Sequence, residues 1–414
     1  MLFENIGIID ETFAYQKDIF VCVQYEKITY IGKTRPVDYI GETYNGKNKL
    51  LMSGLYNTHS HAAMTLMRGY GEGLTLLDWL HKRIFPFEAK LTGEDIYNGA
   101  ILAFAEMIRF GTVALSDMYF FGEDMKHAVL DSGIKANINM SVNGSGSLYE
   151  LPIYQEMISL RDEGRMKVGY CLHAEYTSTP QIVFELAYEA KSRGVIINLH
   201  MSETKAEHDD CKKHHGVTPA RYFEQHGIFD NRVIAAHCVY IEDEDIEILK
   251  KHNVYVSCNP VSNFKLGSGT PPVKKLLDSD VNVVIGTDSA ASNNNLNMFE
   301  EIKLFAMLSQ RTTSAVDALK AATVTGAEAM GRENCGSVAV GNKADLIVLD
   351  LNGAHMTPVH DMLSNVVYSA QGSDVVLTMV DGEVLYCDGE YKKIDLEKIK
   401  YIANRSVSRI IFEL

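Results

Sequence analysis

Eight apolar runs of strand length, each stopped by a polar residue, recur through the middle of this 414-residue chain and restrict its fold more than any other feature. They end at His61, Asp117, Ser141, His173, His200, His237, Asn259 and Asp288. Helix-like stretches such as GEDIYNGAILAFAEMIRFG (93–111) and DEDIEILKKHN (243–253) lie between most of them. A fully buried strand reads as a short continuous apolar run, and strands alternating with helices build parallel sheets. The pattern predicts an α/β chain closed as a (β/α)8 TIM-like barrel. A doubly wound open sheet would bring a Gly-rich phosphate loop after its first strand, and none is present.

The two ends read differently. Residues 1–52 and 338–390 carry short strands such as KITYIG and ADLIVLD, with Asp381-Gly382 and Asp388-Gly389 as tight-turn signals. Open sheet edges invite pairing. The ends are therefore expected to form one small β-sandwich domain from 1–52 and 338–414, beside a barrel over 53–337.

Barrels of this kind do chemistry at the C-terminal ends of their strands. His59 and His61 lie two apart on the first run, so both imidazoles face one side. Alone, such a pair is weak evidence. With His200 and Asp288 at later strand ends, the set becomes three imidazoles and a carboxylate. That donor set suits one divalent ion, Zn2+ before Fe2+, in an open catalytic site. Glu203, three residues beyond His200, is placed to move a proton, and His237 to orient water or polarise the attacked carbon. Nine further histidines lie in helical, loop or C-terminal stretches and receive no role.

Five stretches carry a family resemblance: Gly54-Leu-Tyr-Asn-Thr-His59-Ser-His61, His200-Met-Ser-Glu203-Thr204, His237-Cys238-Val239, the run Ser257 to Gly267, and Gly286-Thr-Asp288 to Asn293. In this order they resemble the 5-methylthioadenosine/S-adenosylhomocysteine deaminase family of the metal-dependent amidohydrolases, a likeness that runs nearly end to end. The resemblance implies hydrolytic removal of ammonia from an adenine-type ring, giving an inosine-type product. It makes the substrate a small purine nucleoside: 5-methylthioadenosine, 5′-deoxyadenosine, adenosine or S-adenosylhomocysteine. Glu203 would protonate the ring nitrogen beside C6, Asp288 would take the water proton, and His237 would steady the attacking oxygen. Two-metal relatives carry a lysine at the end of the fourth strand, where this chain has His173; a single ion is therefore expected. Trp79 would cover the nucleoside, Glu88 would accept hydrogen bonds from the ribose, and His173 would contact the sugar end. A homo-oligomer is also implied.

Two departures bear on specificity. Relatives that accept S-adenosylhomocysteine hold its carboxylate with arginines after the third strand, and residues 134–150 contain none. A gapless match puts Ala136 and Leu148 in their places. Glu175 stands where the family usually has an uncharged residue, so a carboxylate tail is expected to meet repulsion. Guanine, pterin and triazine hydrolases share the metal surroundings and are the nearest alternative. A catalytically dead barrel with an assembly or regulatory role is the alternative of another class, although its ligands would not need to be intact.

A net charge of −15 argues against a nucleic-acid polymer as partner. Seven scattered cysteines without a C-x-x-C pair fit reduced thiols in a cytoplasm. The first residues lack signal-peptide character, and no apolar stretch suits a membrane span. His173-Ala-Glu175 matches half of the H-x-E…P-C-x-x-C deaminase signature, but the cysteine half is missing.

Overall fold

The computed structural model describes every residue except 38, 75 and 309–312. Its barrel strands are β6 (Leu55–Ser60), β7 (Thr112–Tyr119), β8 (Lys135–Val142), β9 (Met166–Leu172), β10 (Ile196–Met201), β11 (Val233–His237), β12 (Tyr255–Cys258) and β13 (Asn282–Ile285). They pair in parallel and in sequence order. Side-chain and backbone bonds close the ring between first and last strands: Asn57 Nδ2 donates to Thr287 Oγ1 at 2.7 Å, and Thr58 Oγ1 donates to the Ile285 carbonyl at 3.0 Å. The (β/α)8 barrel read from the apolar runs is present.

Both termini build a second sheet. It contains β1 (Leu2–Ile9), β2 (Tyr15–Gln24), β3 (Lys27–Gly32), β4 (Thr43–Asn45), β5 (Lys49–Ser53), β14 (Leu346–Asp350), β15 (Val375–Val380), β16 (Glu383–Cys387) and β17 (Glu390–Tyr391). Pairing runs unbroken in the order β17-β16-β15-β14-β5-β1-β2-β3, with β4 beside β1. The sandwich expected of the ends is thus one continuous nine-stranded sheet with its own apolar cluster, which includes Phe3, Ile8, Val21, Leu51, Val348 and Leu377.

The first apolar run of the sequence proves to be two strands, β5 in the terminal sheet and β6 in the barrel. They part at Gly54, where a Cβ would collide with Val113. The sheet is also tied to the barrel by charge. Lys135, near the base of β8, places Nζ 2.6 Å from Asp345 and 2.8 Å from Asp381. Tyr56 adds a hydroxyl bond to Asp345 at 2.8 Å. The C-terminal helix Leu396–Glu413 leaves the sheet and lies against the barrel helix Gly93–Arg109, anchored by Arg409 to Asp95. Among the described residues no helix is long and apolar enough to cross a membrane.

Candidate metal centre and active site

The polar residues that stop the apolar runs converge at one end of the barrel. His59 and His61 leave β6, His200 leaves β10, His237 ends β11, and Asp288 follows β13 by three residues. That last turn is shaped by backbone: Asp288 N donates to the His59 carbonyl at 3.0 Å, and Asp288 holds φ +59°. Gly286 permits the approach, because a Cβ there would lie 2.8 Å from His59 N. His237 (φ +74°) also sits in left-handed space, a strain that proteins keep where surrounding structure enforces it.

Within the cluster, Asp288 Oδ1 stands 3.3 Å from His61 Nε2 and 3.6 Å from His59 Nε2. His200 Nε2 lies 3.4 Å from His61 Nε2. Two sets of donor atoms fall within 4.8 Å of one another, His59/His61/Asp288 and His59/His200/His237. The structure therefore gathers a fourth imidazole where the sequence reading assigned three. Outer partners fix which atom faces inward. His61 Nδ1 meets the Met118 carbonyl at 2.7 Å, and His200 Nδ1 meets the His173 carbonyl at 2.8 Å. Asp288 Oδ2 accepts from Ser262 (2.5 Å) and Ser292 (2.9 Å), leaving Oδ1 to the imidazoles.

These residues fit a divalent cation. Both ring nitrogens of the fully buried His59 lack any hydrogen-bond partner, an arrangement that is costly unless something else meets them. Burial, reinforced by the neighbouring imidazoles, pushes His59 and His200 well below the usual histidine range, which keeps them neutral as ligation requires. Burial opposes charge on Asp288, but the His61 bond and the surrounding imidazoles outweigh it and hold the carboxyl well below the usual range.

Glu203 faces this cluster. Its Oε1 accepts from Ser268 Oγ at 2.8 Å, and its Oε2 is 3.8 Å from His237 Nε2. Its backbone is clamped by Glu207, which accepts from Ser202 N (2.6 Å) and Glu203 N (2.8 Å) at the start of the helix Lys205–His215. On the far side of His237, Nδ1 meets Asn263 Oδ1 at 2.8 Å.

A largely apolar cleft rises from the cluster. Trp79 is buried in its wall, with Nε1 donating to the Tyr70 carbonyl at 3.3 Å, and Leu80, Phe85 and Phe120 line it too. Glu88 lies at its edge, accepts from Tyr119 OH at 2.8 Å, and is pushed up to about 7 by burial. His173 also lines the cleft, its pKa lowered to about 4 by burial and by His61. All nine residues singled out by sequence are brought together here. Ser262, Ser268, Ser292, Asn263 and Tyr119 were given no role, although the first two and Asn263 lie in or beside the Ser257–Gly267 motif.

Two specificity readings need correction. Ala136 sits near the N-terminal end of β8, where its carbonyl accepts from Arg332, so it lies at the opposite end of the barrel from the cleft. Leu148 is buried away from the cleft wall. Ser141 and Asn143 are the residues β8 and its loop bring to the cleft. Glu175 is not in the cleft wall either. It is buried beside Glu207, and burial together with the Glu207 charge pushes its carboxyl up, which favours the uncharged form. Out of the cleft wall, it has no direct contact through which to repel a substrate tail. The absence of arginine does hold: among the described residues, no arginine or lysine lines the cleft.

A cluster able to hold a cation at the C-terminal mouth of a parallel barrel, with the Glu203 carboxyl facing it across the cleft, is the arrangement of a metal-dependent barrel hydrolase. The chain belongs to the amidohydrolase family, whose sequence pattern matches residues 50–385. It is 44% identical to the 5-methylthioadenosine/S-adenosylhomocysteine deaminase of Dictyoglomus thermophilum, over 91% of this chain and 90% of that one. It is 40% identical to the 5′-deoxyadenosine deaminase of Methanosarcina mazei, over 94% and 93% of the two chains. Its fold matches the structure of an adenosine deaminase from Xanthomonas campestris with bound zinc at a TM-score of 0.93, with 28% identity over 99% and 98% of the chains. The chain is a hydrolase of carbon–nitrogen bonds in cyclic amidines.

Proposed function

We propose that this enzyme deaminates adenosine-type nucleosides bearing a short, neutral 5′ group, such as 5-methylthioadenosine, 5′-deoxyadenosine or adenosine. One observation carries the reading: the cleft over the candidate metal cluster contains a hydrogen-bonded polar pair, Glu88 with Tyr119, and, among the described residues, no lysine or arginine to hold a carboxylate tail. The deaminase relatives support the adenine ring as the reacting group. One divalent ion, zinc in preference to iron, is assigned to His59, His61, His200 and Asp288. The zinc-bound Xanthomonas campestris deaminase supports that choice. When bound, the ion acidifies water toward neutral pH.

The chain's own groups then divide the proton work. Asp288, ionised by its surroundings, takes a proton from the attacking water. His237 is held through Nδ1 by Asn263 Oδ1, which turns Nε2 toward the cluster, where it orients the water. Glu203, held by Ser268, delivers a proton to the ring nitrogen beside C6, which makes that carbon electrophilic. Asp288 then passes the water proton to the amino group, Glu203 recovers a proton from the C6 hydroxyl, and collapse of the adduct expels ammonia. Trp79 covers the base, His173 borders the sugar, and Glu88 accepts from the ribose hydroxyls. All these residues belong to 53–337, which we assign as the catalytic barrel domain, with 1–52 and 338–414 as its supporting domain.

A nucleoside panel with ammonia detection on zinc-loaded protein tests this. S-Adenosylhomocysteine lacks a charge-assisted partner worth roughly 2–3 kcal/mol, so its kcat/KM should fall roughly 30- to 150-fold below that of 5-methylthioadenosine. Equal efficiencies would remove the neutral-tail preference, and no ammonia from any adenosine-type substrate would remove the whole reading.

Glu88 adds a pH dependence. Its carboxylate accepts from the ribose with both oxygens and more strongly than the neutral acid, and burial pushes its ionisation up to about 7. Affinity should therefore be full above that value and fall as pH drops through it, with KM rising toward tenfold per pH unit below it. In Glu88→Gln the KM should be high and flat between pH 6 and 8. A wild-type KM that is flat over the same range would show that Glu88 does not hold the sugar.

A further inference from the structure

A second, large cavity lies apart from the catalytic cleft. It opens at the other end of the barrel, beneath the N-terminal ends of β9 to β12, with a volume of about 1200 Å³. Five cationic side chains line it, Arg161, Lys167, Arg193, Arg232 and Arg332, against three carboxylates, Asp162, Glu328 and Glu333. In a chain with a net charge of −15 that is a local reversal of sign. The three acids are exposed, whereas Arg332 is only 9% exposed and Lys167 is half-buried.

The cations are oriented but not neutralised. Arg193 has an ion pair with Glu189 at 2.6 Å. Among the described residues the other four have no carboxylate within 4.0 Å. Instead they meet neutral carbonyls. Lys167 Nζ donates to the Gly331 carbonyl at 2.6 Å, and Arg332 donates to the Ala136 carbonyl at 2.7 Å and to Asn137 Oδ1 at 2.8 Å. The buried Arg332 Nε has no hydrogen-bond partner among the described residues. Nor does the hydroxyl of Tyr170, a fully buried residue in the same wall. Burial, followed by the charge of Arg332, lowers the basicity of Lys167, and burial lowers that of Arg332; each favours arrival of negative charge.

Buried cations and unpaired buried donors are retained when a partner completes them. Two neighbouring cations on the cavity floor, one a guanidinium and one an ammonium, match a phosphate dianion in charge and in donor geometry. The space above them is far larger than inorganic phosphate needs and suits a small organic molecule. We propose that this cavity is a second, non-catalytic site for a small phosphate monoester, with the phosphate seated on Lys167 and Arg332.

The test is calorimetric titration of the metal-loaded enzyme, at low ionic strength, with ribose 5-phosphate, inorganic phosphate and citrate. Ribose 5-phosphate should bind with a sub-millimolar dissociation constant and more tightly than the other two. Lys167→Met and Arg332→Met should each weaken it by roughly tenfold to a hundredfold. Lys167→Met, remote from the catalytic cleft, should leave nucleoside turnover unchanged. Should Arg332→Met fail to fold, Lys167→Met with Arg232→Gln carries the same comparison. Tighter binding of citrate would reassign the site to carboxylates and overturn the phosphate proposal. No heat from ribose 5-phosphate at 10-millimolar order, or binding indifferent to Lys167→Met, would overturn it outright.

Discussion

Glu203→Gln should keep its fold and its metal while kcat falls by about 10² to 10⁴. The substitution preserves side-chain size, and its oxygen can still accept from Ser268 Oγ, now 2.8 Å from Glu203 Oε1. The backbone bonds that Glu207 makes to Ser202 N and Glu203 N do not involve the altered atom. What the amide cannot do is release a proton to the ring nitrogen. The loss should therefore fall on kcat, with KM little changed, because the sugar and base contacts remain. Metal analysis, circular dichroism and steady-state kinetics on one preparation check all three parts. A fall smaller than tenfold would mean that another group, with His237 the first to examine, delivers the proton.

Much of this site was legible because barrel strands place chemistry at a fixed end. A histidine that stops an apolar run has few other places to go, so His61, His200 and His237 announced themselves. Asp288 was legible for a different reason: the strand Asn282–Ile285 ends before it, and the motif after Gly286 carries it back to His59. Single hydroxyls were not legible. Ser262 and Ser268 matter only through bonds of 2.5 and 2.8 Å to carboxylates brought from other strands or loops, and Ser292 through a 2.9 Å bond to Asp288 four residues before it. Their motifs carry them, but a serine's letter does not say which carboxylate it will meet. Ala136 misled because position along a strand fixes which end of the barrel a residue occupies, and a gapless match does not preserve it. Glu175 misled because an acidic letter does not disclose its burial, and burial here disfavours the charge from which repulsion was inferred. The basal cavity was invisible for the same reason as the serines. Lys167 and Arg332 lie far apart in sequence and meet only because Lys167 reaches the carbonyl of Gly331.

Asp288→Ala should be the most damaging single change. Asp288 supplies the one anionic donor of the cluster, and its Oδ1 faces both His59 and His61. Removing it leaves a dication with neutral imidazoles only, strips the group that takes the water proton, and frees Ser262 and Ser292 from their acceptor. Turnover should fall by more than about 10⁴, and the purified variant should contain well under one metal ion per chain. Asp288→Asn separates the two roles. Its amide oxygen can still face the imidazoles, while the Ser262 and Ser292 hydroxyls can rotate to accept from the amide nitrogen. It should therefore retain more metal than Asp288→Ala yet regain little activity, because an amide takes no proton. Titrating zinc into both apoproteins, with turnover measured at each point, distinguishes these outcomes. Recovery of wild-type turnover in Asp288→Asn at full occupancy would reduce the aspartate to a ligand alone and pass its proton role to His237, whose Nε2 is 3.8 Å from Glu203 Oε2.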